Sequence, residues 1–204
     1  MITVLLDKAE FEYDIHSLVK AFYPKEEVYV STKDKEKKEE PVHYHMDVQF
    51  APEEIIFSWK RVEASEDNAN QTGITKCVAV DYTNRKETKN SLKRTLYRLL
   101  SEYTGVELPW GNLTGIRPTK IPMALLEEGK SEEEIARYMK ETYFTSDEKI
   151  KLSIEIAERE LELLHKLDYE EGYSLYIGIP FCPTTCLYCS FTSCLLYTSP
   201  SPRD

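Results

Sequence analysis

The 204-residue sequence contains no run of about 18 apolar residues, so nothing in it is long enough to cross a bilayer as a helix. It is also short of positive charge. With 26 Lys and Arg against 36 Asp and Glu, the net charge of -10 argues against nonspecific attraction to nucleic acid or to an anionic membrane surface. Evenly spaced cysteine pairs of the disulfide-framework kind are missing too: three of the five cysteines crowd into one short stretch, which suits a reducing cytosol. Met1 opens onto a strand-like run and not onto a signal peptide, and the expected location is the cytoplasm. With 41% hydrophobic residues the chain can bury one sizeable core or two small ones.

What is present is concentrated near the end, in YSLYIGIPFCPTTCLYCSF, Tyr173 to Phe191. Cys182, Cys186 and Cys189 stand at C-x3-C-x2-C spacing. A cubane iron-sulfur cluster is held by cysteine thiolates, usually four. Three from one loop leave a fourth iron open to bind and activate a small molecule, by the logic that separates open catalytic metal sites from closed structural ones. Pro183 restricts the loop, so less freedom is lost on metal binding. A zinc knuckle or plain reduced thiols are the alternatives, but zinc takes four ligands and no histidine follows closely. Ahead of the cysteines, Leu175, Tyr176, Ile177 and Ile179 read as a buried parallel strand, with the thiols just past its carboxyl end.

C-x3-C-x2-C with an aromatic before the last cysteine resembles the signature of radical S-adenosylmethionine (SAM) enzymes. The fuller string LYIGIPFCPTTCLYCSF is similar to the coproporphyrinogen oxidase-like branch, and PWGNLTGIRPTKIP, Pro109 to Pro122, resembles its oxygen-independent coproporphyrinogen dehydrogenase-like HemZ type. The resemblance implies a [4Fe-4S] cluster on Cys182, Cys186 and Cys189 whose open iron chelates SAM, cleaved after one-electron reduction to methionine and a 5'-deoxyadenosyl radical. It implies oxidative decarboxylation of coproporphyrinogen III propionates to vinyl groups, with a reductase or flavodoxin-like electron donor. Tyr176 matches the family tyrosine near the methionine part of SAM, and Tyr188 the aromatic beside the cofactor. Gly178 replaces a family histidine and Phe191 a further cysteine, so a haem-binding chaperone of the same superfamily is the alternative.

The N-terminal residues read as an α+β domain with a largely antiparallel sheet. Expected strands are Ile2 to Leu6, Val28 to Ser31, Val42 to Phe50, Ile55 to Val62 and Lys76 to Tyr82, the loops between them being too short for helical crossovers. A helix from about Lys8 to Phe22 carries Phe11, Ile15, Leu18, Val19 and Phe22 on one side, and Pro24 stops it. The mixed charge run Lys33 to Glu40 reads as a solvated loop, and SEDNANQTG from Ser65 as a polar turn. His43 and His45 share one strand face. With no acidic or thiol partner evident nearby, they read as exposed strand histidines and not as a metal pair, and Cys77 as a small buried hydrophobe.

A helix from about Glu87 to Tyr103 follows, with Leu92, Leu96, Leu99 and Tyr103 on its seam and Gly105 as its stop. Its other side is basic: Arg85, Lys86, Lys89, Lys93, Arg94 and Arg98. This face could receive RNA or a carboxylate-rich substrate, or could pair with the acidic remainder. No stacking pattern accompanies it, so nucleic acid is not the expected partner. Arg117 could grip an anion or tie the helices to the sheet. Three helices come next: Met123 to Glu128, one capped by Ser131 with Glu134, and one capped by Thr145 with Glu148 and bearing the seam Ile150, Ile154, Ala157, Leu161, Leu164.

The expected organisation is an N-terminal α+β domain (1–107), a helical connecting segment (108–170), and the first strand of a truncated radical SAM (β/α) barrel with its cluster loop (171–193). A barrel takes about 200 residues or more, and the chain ends at Asp204, close behind Cys182. The piece itself is therefore expected to be inactive. The closing CLLYTSPSPRD, residues 194–204, resembles a translated transposase-type sequencing adapter and is set aside as non-native, which removes Cys194 as a fourth ligand; a native polar tail is the alternative.

Overall fold

Alternation of apolar and polar residues creates a sheet that is buried on one side. In the computed structural model, which describes residues 1–32, 42–62, 73–115, 117–168, 171–178, 181–182, 184, 186–189 and 194–195, five strands form it: β1 (Ile2–Leu6), β2 (Val28–Thr32), β3 (Tyr44–Phe50), β4 (Glu54–Arg61) and β5 (Ile74–Ala79). Their order is β2-β1-β3-β4-β5. Ile2, Val4 and Leu6 of β1 are wholly buried, as are Met46 on β3 and Ile55 and Phe57 on β4. Two helices, α1 (Glu12–Phe22) and α2 (Arg85–Thr104), contribute Ile15, Leu18, Leu92, Leu96 and Leu99 to the same core. The other sheet face carries Thr3, Leu5, His45, Asp47, Ser58, Thr75 and Cys77, all half-buried or exposed.

The fold is α+β, and its sheet is mixed. β3–β4 and β4–β5 are antiparallel, with seven and six residue pairs. β1 pairs in parallel with both β2 and β3, over five residue pairs each. The short-loop argument therefore holds for β3 to β5. It fails between β1 and β2, because α1 is itself the crossover that a parallel pair requires.

Local chemistry accounts for other departures from expectation. α1 starts at Glu12 and not near Lys8, because Phe11 at its N-cap is left-handed (φ 54°) and the chain bends before it. Cys77 is exposed: it faces away from the helices on the sheet's outermost strand, while Ile74 and Val78 face the core. The charge run from Lys33 to Glu40 lies outside the described residues, as do the polar turn before Gly73, Ile179, Pro183, Phe191 and all of the closing segment except Cys194 and Leu195.

Three more helices follow: α3 (Lys120–Glu127), α4 (Glu132–Tyr143) and α5 (Asp147–Leu164). α4 has the expected capping box between Ser131 and Glu134. For α5 the cap shifts by one residue. Ser146, not Thr145, accepts from the Lys149 and Ile150 amides, leaving the Thr145 hydroxyl buried without a partner. Ile135, Met139, Ile150 and Ile154 make a second small core, onto which Leu113, Ile121 and Leu125 pack. Met1–Glu162 forms one compact unit, which takes in most of the expected connecting segment; Leu163–Asp204 forms another.

The loop before α3 is stitched to the joint between α4 and α5. Asn112 donates its amide to the Tyr143 carbonyl (2.9 Å) and its Nδ2 to the Thr142 carbonyl (3.3 Å), and the Ser146 amide donates to the Pro109 carbonyl (3.0 Å). Gly111 permits this approach. At φ 56° a Cβ would overlap the Tyr143 carbonyl oxygen and stand 2.6 Å from the Phe144 carbonyl carbon. Gly105, at φ 67°, caps α2 with open space around it. Gly105→Ala should therefore cost about 1 kcal/mol, for the left-handed conformation alone. Gly111→Ala adds a backbone clash and should cost about 3 kcal/mol. Urea unfolding of the two variants beside the parent chain tests that ordering.

Candidate functional site

In the unit Leu163–Asp204, the two-residue strands β6 (Phe181–Cys182) and β7 (Cys194–Leu195) pair in parallel, placing Cys182 in a short ladder. Cys186 to Cys189 is a reverse turn closed by the Cys189 amide on the Cys186 carbonyl (3.0 Å). Such a turn holds its first and last Cα atoms within about 7 Å. Cys182, Cys186 and Cys189 are free thiols, the middle one exposed and the others half-buried. Among the described residues, no three His, Cys, Asp or Glu side chains already converge as a metal-ligand group.

The apolar run before the loop is not the buried strand expected of it. Residues 173–178 carry no ladder, and Tyr173, Leu175, Tyr176 and Ile177 are exposed. A parallel strand needs hydrogen-bonding neighbours and helices over its faces, and no described strand pairs with these residues. Tyr176 and Tyr188, the expected cofactor contacts, are 83% and 90% exposed. Gly178 leaves room for the Tyr176 ring, which would stand 3.2 Å from a Cβ at that position.

The basic side of α2 is largely occupied. Lys89 pairs with Asp14 (2.8 Å) and Arg94 with Glu87 (2.5 Å); Arg85 sits over the Phe11 ring (5.1 Å) and Arg98 over Phe144 (5.0 Å). Lys93 does not lie on a solvated face at all. It is buried, and its Nζ donates to the Thr114 hydroxyl (3.0 Å), tying α2 to the loop before α3. Burial pushes its ammonium below the usual lysine range; Asp14 opposes this and Lys89 reinforces it. Arg117, by contrast, is exposed and does not join helices to sheet through its side chain among the described residues.

The two strand histidines do have acidic partners. His45 Nε2 lies 3.1 Å from Asp47 on its own strand, and His43 Nδ1 lies 3.1 Å from Glu26. Glu26 also accepts from the Met1 α-amino group (2.8 Å), which, ahead of His43, holds its carboxyl below the usual carboxylate range. The His45–Asp47 contact joins residues two apart on one strand face and was open to sequence spacing; the Glu26 contacts were not, since Met1, Glu26 and His43 meet only when β1 is placed between β2 and β3.

The chain is 42% identical over 121 residues to the oxygen-independent coproporphyrinogen-III oxidase-like protein HemZ of Bacillus subtilis (strain 168), a match covering 57% of this chain and 24% of that protein. Over that stretch the chain is HemZ-like. It spans about a quarter of the length of this relative. No family model matches it. Among the described residues, no helix is long and apolar enough to cross a membrane.

The buried Lys93 makes stability depend on pH. The fold disfavours the charged amine, so the unfolded chain binds more protons from the lowered folded-state value up to the ordinary lysine value of about 10.4, and stability rises with pH across that window. Lys93→Met should remove that slope and stabilise the protein at pH 7 by about 1 kcal/mol. Urea midpoints of both proteins from pH 7 to 10 test it; parallel pH dependences would contradict it.

Proposed function

We propose that the whole protein is a radical SAM oxidoreductase that decarboxylates coproporphyrinogen III propionates to vinyl groups without oxygen. The supporting observation is one short loop offering three free thiols, two of them at the ends of a single reverse turn, in a chain 42% identical to HemZ over 121 residues. The donor set suits iron and sulfide. Cys182, Cys186 and Cys189 would hold the [4Fe-4S] cluster, and exposure of Cys186 leaves the loop accessible for its assembly. When bound, the cluster supplies a single electron and an iron position for SAM, drawing on a reductase or flavodoxin-like donor.

The chain's own residues position the reactants. Tyr188 lies inside the turn between two thiols, and Tyr176 precedes the loop with its ring against Gly178, so both rings are available to a cofactor and not committed to a core. In this reading residues 171–193 begin the catalytic barrel, 1–107 and 108–170 are the α+β and connecting parts, 194–204 is a non-native tail, and the present chain has no turnover of its own.

Anaerobic reconstitution with iron and sulfide should load the chain with iron in near-cluster stoichiometry. Cys182→Ser, Cys186→Ser and Cys189→Ser should each lower that loading several-fold, as measured by iron and sulfide analysis. In the whole protein, SAM, a reductant and coproporphyrinogen III should yield 5'-deoxyadenosine and protoporphyrinogen together. Deoxyadenosine without protoporphyrinogen would overturn the decarboxylation, and tight haem binding in its place would indicate the chaperone class.

A further inference from the structure

A groove of about 700 Å³ lies between the C-terminal half of α2 and the joint of α4 with α5. Its size falls within the roughly 300–1,000 Å³ of small-molecule sites. Tyr97 and Phe144 supply aromatic surface, their ring centroids 5.3 Å apart and their planes stacked at 25°. Leu108 and Pro109 add to the apolar lining. All of the lining residues belong to the unit Met1–Glu162, so the groove exists without any part of the cysteine loop.

Six charged side chains line this groove, and four of them are neutralised by close neighbours. Glu102 pairs with Lys76 (2.5 Å), Lys140 with Asp147 (2.6 Å) and Glu148 with Lys149 (3.1 Å). The two left over have opposite signs: Arg98 and Glu107 have no ionic partner among the described residues and do not pair with each other. The aromatic pair stands between them. The Arg98 guanidinium lies over the Phe144 ring (5.0 Å), while the Leu108 amide donates to the Tyr97 hydroxyl (3.1 Å), which sets the preceding residue, Glu107, beside the phenol end of the other ring. Burial raises the Tyr97 hydroxyl above the usual tyrosine range; that amide opposes the shift and the Glu107 charge adds to it. Next to Phe144, the buried Thr145 hydroxyl has no partner among the described residues, so the groove wall also holds a hydrogen-bonding group that the fold leaves unsatisfied.

We propose that this groove binds a small zwitterion with an apolar body, a free amino acid or short peptide whose carboxylate pairs with Arg98 and whose ammonium pairs with Glu107. A planar guanidinium takes a carboxylate through two parallel hydrogen bonds, and a stacked ring pair takes an apolar side chain. Phe144 already orients the guanidinium, so less side-chain freedom is lost on binding. A ligand with one charge satisfies only one of the two unpaired groups. The zwitterion satisfies both.

Nuclear magnetic resonance titration of the chain with phenylalanine and with phenylalanyl-leucine tests this. At least one of the two should bind saturably, one per chain, moving the amide signals of Arg98, Leu108 and Phe144; the tighter of them separates the amino acid from the peptide as the source of the zwitterion. The N-acetylated and C-amidated forms of that tighter ligand, each lacking one charge, should bind about tenfold or more weakly. Arg98→Gln and Glu107→Gln, both at exposed positions, should each cost as much, with the rest of the amide spectrum still that of the folded parent. No saturable binding of either ligand up to millimolar concentration, singly charged forms that bind as tightly as the zwitterion, or affinity unchanged by either substitution would overturn the proposal.

Discussion

The burial of β1 between two parallel neighbours is the constraint on which the N-terminal architecture depends. Ile2, Val4 and Leu6 lose all contact with water, and burying side chains of this kind contributes about 1.5–3 kcal/mol each. Because β1 is an interior strand, its ladders must be satisfied from both sides, and α1 must cross over the sheet to return the chain as β2. α1 then supplies Ile15, Leu18, Val19 and Phe22 to cover the strand it has just left. The same placement brings the chain start, the α1–β2 turn and the approach to β3 to one corner, which is how an amine, a carboxylate and an imidazole come together without any sequence motif.

A second constraint operates through backbone, not apolar area. The PWGN segment reads by itself as punctuation between helices. In the fold it is a clasp on the α4–α5 joint, closed by hydrogen bonds from Asn112 and made possible by the missing side chain at Gly111. Lys93 anchors the far end of that loop through Thr114. A charged amine is an expensive anchor when buried. Its long aliphatic stem, however, lets the buried side chain carry the amine to the Thr114 hydroxyl.

The cysteine loop follows different rules. Its apolar approach, Leu175 to Ile177, has the composition of a central strand but neither ladder nor cover, so composition and conformation part company there. Strand identity depends on neighbours: an extended apolar segment becomes sheet only where another strand accepts its amides. What the loop achieves locally is the Cys186–Cys189 turn, because four consecutive residues are enough to close it.

Elements governed by local pattern were legible without a structure. Apolar patterning located β1 to the residue, β2 to β4 within two and β5 within three, and 3.6-residue periodicity found α2 with its Leu92, Leu96, Leu99 seam and the Gly105 cap. The Ser131–Glu134 capping box was written in the order of its residues. Thiol spacing likewise announced the C-x3-C-x2-C loop. What only the tertiary structure decided is everything set by pairing between distant segments: the parallel ladders of β1, the burial of Lys93, the exposure of Cys77, the need for glycine at 111, and the meeting of Met1, Glu26 and His43. The physical reason is range. Turns, caps and helix faces are determined by residues three or four apart, whereas burial and strand direction depend on which remote surface arrives opposite, and that is encoded at no single position.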